Sequence, residues 1–98
     1  MSFGDFLAEQ RRLLMLQALN SAAAGERVAL PVLHRYLLAI ELKPTAQQVD
    51  NDLIMLAGVG LVERTEKDGV VLALITQSGR DVAAGRTRAA GVADTVVR

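Results

Sequence analysis

The spacing of apolar positions changes along the chain, and each change marks an element. From Asp5, which suits an N-cap, the segment FLAEQRRLLMLQALNSAAAG is built of strong helix formers and runs to Gly25, a residue suited to a left-handed C-terminal cap. Within it Leu13, Leu14, Met15 and Leu16 are consecutive. Successive helical residues lie ~100° apart, so this run points almost all the way round the axis. Either the helix is sandwiched inside a small domain, or one monomer's core cannot cover it and a second copy shares it. The expectation is the second, a dimer interface of Phe6, Leu13, Leu14, Met15 and Leu16 made with the last helix of the chain.

ERVAL has the makings of a short strand, and Pro31 then opens a second helix, PVLHRYLLAIEL, with Leu33, Tyr36, Leu37 and Ile40 on one stripe. Pro44 disfavours helical geometry at Lys43 and ends it. Thr45 starts a third helix, 45–57, where Thr45 and Gln48 form a capping box and Ala46, Val49, Leu53 and Leu56 face inward, with Gly58 and Gly60 closing it. In LVERTEKDGVVLALIT two strand-like runs flank Asp68-Gly69, a pair that favours a tight hairpin. The second run is nearly all apolar, as a central strand would be. Thr76 then caps a last helix, QSGRDVAAG. Two helices joined by a short turn and followed by a hairpin are the elements of a winged helix-turn-helix. The predicted class is α+β, mostly helical, with a three-helix core, a β-hairpin wing and a C-terminal helix over residues 1–85. Residues 86–98 lack periodicity and read as a tail that is disordered or bound to a partner.

Composition narrows the functions. Ninety-eight residues at 51% apolar fit one domain with an aliphatic core. The absence of cysteine excludes a disulfide scaffold, a thiolate metal site and a cysteine nucleophile. No apolar run has the length of a membrane span, and the acids and aromatic of MSFGDFLAEQRRLL are wrong for a signal peptide, so the chain reads as soluble and intracellular. Eleven basic residues balance eleven acidic ones, which removes any global attraction to nucleic acid.

The pattern Thr45, Val49, Leu53, Leu56, Gly60, Leu61, Val62 resembles the recognition helix and first wing strand of many bacterial regulators, and LITQSGRDVAAG resembles their second wing strand and closing helix. The two ends, MSFGDFLAEQRRLLMLQAL and GRDVAAGRTRAAGV, are similar to a family of small winged-helix proteins of Mu-like prophages, regulator-like and without an established activity. The resemblance implies a phage-derived protein of the bacterial cytoplasm and leaves its task open, since one fold hosts many functions.

On the third helix Gln47, Gln48, Asn51 and Asp50 are candidates to face a major groove, where amides pair with adenine and a carboxylate accepts from cytosine. Phosphate neutralisation is harder to find. Over residues 43–58 Lys43 stands against Asp50 and Asp52, a net of −1, and over the wing Arg64 and Lys67 stand against Glu63, Glu66 and Asp68, again −1. Base readout therefore needs cations from the flanks, from Arg35, Lys43, Arg64 and Lys67, from the helix N-terminus at Thr45 and from a second subunit. Arg11 and Arg12 and the tail's Arg86, Arg88 and Arg98 are further candidates for nucleic-acid contact, although a solvated helix face accounts for the first pair and an ordinary charged tail for the second group. At least one of Ile54 and Met55 lies off the inward stripe and marks either a partner or a neighbouring element, the latter by packing beneath the wing or against helix one. His34 is the only histidine, which leaves no pair for a metal or a triad, and Asp50 and Asp52 project to different sides of a helix, wrong for acid-base work. The expectation is thus no enzyme, no metal and no cofactor. Double-stranded DNA bound by a homodimer is the first functional expectation. A winged-helix adaptor that binds a phage or host protein, through Ile54, Met55 and the tail, is the second.

Overall fold

The computed structural model describes residues 1–95. It is an α+β fold, about half helical, of four helices and one three-stranded antiparallel sheet. Helix α1 spans Phe3–Asn20 and starts earlier than Asp5 because Ser2 is its cap: the Asp5 N–H donates to Ser2 Oγ at 3.1 Å and the Ser2 N–H donates to Asp5 Oδ2 at 3.3 Å. Asp5 belongs to the first turn, where its charge also suits the helix dipole. The helix ends before the alanines. Ser21 Oγ donates to the Ala18 carbonyl, and the Glu26 carboxylate accepts from the Ala23 N–H, so local bonds divert the backbone into a turn that Gly25 completes at φ 78°.

Strand β1, Val28–Ala29, runs directly into α2, Leu30–Ala39, with Pro31 in its first turn. Helix α3, Ala46–Gly58, begins at the Thr45/Gln48 capping box, both of whose bonds are made. Between them Glu41 (φ 65°) and Lys43 (φ 51°) take left-handed backbone, and the His34 Nε2–H donates to the Pro44 carbonyl at 2.8 Å, tying α2 to the entry of α3. Of the α2 stripe, Leu33 and Leu37 are buried while Tyr36 and Ile40 stay exposed, and on α3 Ala46 is exposed while Val49, Leu53 and Leu56 are fully buried. Strands β2, Val62–Lys67, and β3, Val70–Ile75, form the hairpin, with Asp68 (φ 53°) and Gly69 (φ 79°) both left-handed at its tip, as a type I′ turn requires. Strand β3 is central, in the order β1-β3-β2.

Thr76 caps α4, Gln77–Ala83: its Oγ1 accepts from the Gly79 N–H and donates to the Gly60 carbonyl. A Cβ at position 79 would fall 2.1 Å from the Leu61 carbonyl oxygen, so only glycine lets α4 lie this close to the start of the hairpin.

The leucine-methionine run of α1 is covered without a second copy. Leu13, Met15 and Leu16 are buried in the protomer's own core and Leu14 is half-buried, because α4, the sheet, α2 and α3 pack around this one helix. The segment after α4 adds a further wall. Val92 is buried, the Ala93 N–H donates to the Glu9 carbonyl at 3.1 Å, and Arg12 Nη1 donates to the Gly91 carbonyl at 2.9 Å. The folded unit therefore extends past residue 85 to Thr95 among the described residues, and the expected tail packs on α1 of its own chain. Arg98 lies outside the described residues. No helix among those described is long and apolar enough to cross a membrane.

Beneath this segment lies a buried ion cluster. Asp52, 2% exposed, accepts from Arg11 Nε on Oδ2 and from Arg12 Nε on Oδ1 at 2.9 Å. Arg11 and Arg12 are thus interior counter-ions, not a solvated face, since a buried carboxylate needs both charge and hydrogen bonds to replace water. Removing the carboxylate leaves two guanidiniums half-sealed without an anion. Asp52→Ala should lower unfolding free energy by about 3–5 kcal/mol in urea titration, well above the loss at an exposed aspartate such as Asp68→Ala.

Candidate nucleic-acid interface

The outward face of α3 carries Gln47, Asn51 and Ile54 at i, i+4 and i+7, all exposed. Gln47 Nε2 donates to Asn51 Oδ1 at 2.9 Å, so the two amides are held together as a pair with donors and acceptors left over. Thr45 and Gln48 are engaged differently. Their side chains satisfy each other's backbone in the capping box, which fixes where α3 begins.

Both aspartates that made this stretch negative by tally are neutralised. Asp52 is buried against two arginines, and Asp50 receives a bidentate grip from Arg64, whose Nε donates to Oδ1 at 2.8 Å and Nη2 to Oδ2 at 3.0 Å. Arg64 also reaches Glu66 at 3.1 Å. The hydrogen bonds that Arg64 donates to Asp50 are the main reason its pKa is raised, with smaller contributions from the charge of Asp50 and from Glu66. Arg64 thus joins β2 to α3 and is held by two carboxylates. Asp50 and Asp52 do project to different sides of α3, as their spacing requires.

Arg35, Lys43 and Lys67 are exposed and make no ion pair among the described residues. Lys43 stands two residues before the α3 cap, and Lys67 ends β2 beside the hairpin turn. Glu63 and Asp68 are also exposed there, so the β2–β3 hairpin itself remains acidic. Three further arginines are engaged: Arg86 with Asp81 at 2.9 Å, Arg88 with Asp94 at 2.9 Å, and Arg80 with the side-chain carbonyl oxygen of Asn20 at 3.1 Å. Hydrogen bonds from Arg86 and then Gln77 hold the Asp81 carboxyl below its ordinary range.

Ile54 is 51% exposed, whereas Met55 is half-buried against Gly91. His34 is spent on the Pro44 carbonyl, and among the described residues no three His, Cys, Asp or Glu side chains are grouped to hold a metal ion. The feature that sequence reasoning missed is the cluster at Asp52, although a signal existed: Asp52 sits at i+3 from Val49 and i−4 from Leu56, on the inward stripe itself.

Comparison of the chain with protein-family models, with curated proteins and with solved structures yields no match. The assignment of a role therefore rests on the geometry alone.

The cap decides the register of this face. Thr45→Ala should cost about 1 kcal/mol, and amide exchange should accelerate first at residues 46–48 while β3 amides keep their protection.

Proposed function

We propose that the chain is a winged helix-turn-helix that binds double-stranded DNA as a homodimer, with α3 in the major groove and the β2–β3 hairpin along the backbone. Helix, strand, two helices joined by a short turn, and hairpin follow one another in the order of that fold, and β1 closes the sheet beside the hairpin. The observation that carries the functional reading is the neutralisation of α3. With Asp52 drawn inward and Asp50 gripped by Arg64, the exposed face offers the Gln47–Asn51 amide pair and no free carboxylate. Amides of this kind read adenine, and the N-terminus of α3 adds free N–H groups for phosphate. In this reading the chain binds and does not catalyse, it needs no metal or cofactor, and its place of action is the bacterial cytoplasm, where a prophage regulator would control phage or host transcription.

Affinity comes from few cations. Arg35, Lys43 and Lys67 from each of two copies would neutralise about six phosphates, which gives a slope of log K against log salt of about −5. Two reading helices would stand about 34 Å apart, one duplex turn.

The test is a mobility shift on DNA flanking the gene, repeated at rising salt. Tight binding with this slope is expected, Lys43→Ala should flatten the slope, and Gln47→Ala should cost about 1–3 kcal/mol on the specific site only. No shift at micromolar protein and low salt would remove the DNA reading. In that case the half-exposed Ile54, on the same face, favours a second role, an adaptor whose α3 binds a phage or host protein.

A further inference from the structure

Two exposed apolar features remain unused by this reading, one at each end of α1. At its start Phe3 is 73% and Phe6 45% exposed, with their rings stacked at 6.2 Å, and Leu7 is exposed beside them. At its end a cleft of about 270 Å³ opens between α1, β1 and α2, walled by Ala18, Ala22, Val28, Val32, Leu33 and Tyr36. A solvent-side stripe connects the two. Phe3, Leu7, Gln10, Leu14, Gln17 and Ser21 recur at intervals of four and three, the spacing of a seam between paired helices, and none of them is fully buried.

We infer that α1 pairs antiparallel with α1 of a second copy and that the Phe3/Phe6 rings of each copy fill the α1–α2 cleft of the other. A twofold axis across the middle of α1 sets the start of one helix against the end of its mate, so both insertions occur in one closed dimer. At about 270 Å³ the cleft takes one ring within it, since a dry cavity of about 150 Å³ already holds benzene, and the second, stacked ring lies over its open mouth. Charge agrees. Residues 1–10 carry Asp5 and Glu9 and no lysine or arginine, while Arg27, next to the cleft wall at Val28, is exposed and makes no ion pair among the described residues. The four phenyl rings would bury on the order of 500 Å², and the stripe and cleft walls would have to contribute the remainder of the ~1,200 Å² that a stable interface needs. Phe6 and Leu14 of the expected interface keep their place in this arrangement, while the buried Leu13, Met15 and Leu16 do not take part.

This dimer rests on the DNA reading only for its purpose, so it is tested without DNA. By sedimentation at micromolar concentration the wild type should be dimeric, and Phe6→Asp and Val32→Asp, both at exposed positions, should each weaken association roughly tenfold or more with unchanged helical circular dichroism. Mixing the two variants should restore dimers, because one ring and one cleft are then both intact in the same pair. The chain has no cysteine, so Phe6→Cys and Val32→Cys made on separate copies report the contact directly: the mixture should form a disulfide between copies on oxidation. A monomeric wild type, a dimer indifferent to both aspartates, or the absence of that cross-link would overturn the proposal, and the mobility shift would still decide DNA binding on its own.

Discussion

One buried carboxylate organises this protein. Asp52 is on α3, its two partners are on α1, and one of those partners also holds the backbone of the C-terminal segment. Such a cluster gives little net stability compared with an apolar replacement, because three charges lose water to make it. Its effect is on specificity. A shift of α3 along α1 would take Asp52 away from one or both of its adjacent arginines, so the ion cluster favours one rotation and height of the helix that presents Gln47 and Asn51.

The same economy runs through the surface. Most arginines are engaged by acids or amides of the chain itself, and Arg64 is the clearest instance, since it stitches β2 to α3 through Asp50. The charges balance in number, eleven against eleven, and many of them are also paired locally, so the few unpaired cations among the described residues carry whatever attraction for phosphate the molecule has.

What the sequence disclosed was local in origin. Thr45 with Gln48, Asp68 with Gly69, and Thr76 three residues before Gly79 each specify their turn or cap through neighbours within four residues, and all three are found where the pattern places them. Failures come from partners far along the chain. Arg11 and Arg12 read as a solvated pair because Asp52 is 40 residues away, and the run Leu13 to Leu16 suggested a second copy because nothing in 86–95 announced a segment that would cover α1. The Asp5 cap was a near miss of another kind: Ser2 and Asp5 form the same reciprocal box as Thr45 and Gln48, with aspartate in place of glutamine.

The bond between the Ala93 N–H and the Glu9 carbonyl joins residues 84 positions apart. A ribosome releases α1 and α3 long before it releases residues 89–93, so the emerging chain holds its two guanidiniums and their aspartate under an open roof. Structure on this side of the molecule is completed by residues 89–93, far along the chain from α1, which makes truncation or proteolytic nicking directly after α4 a more severe lesion than the irregular look of that stretch would suggest.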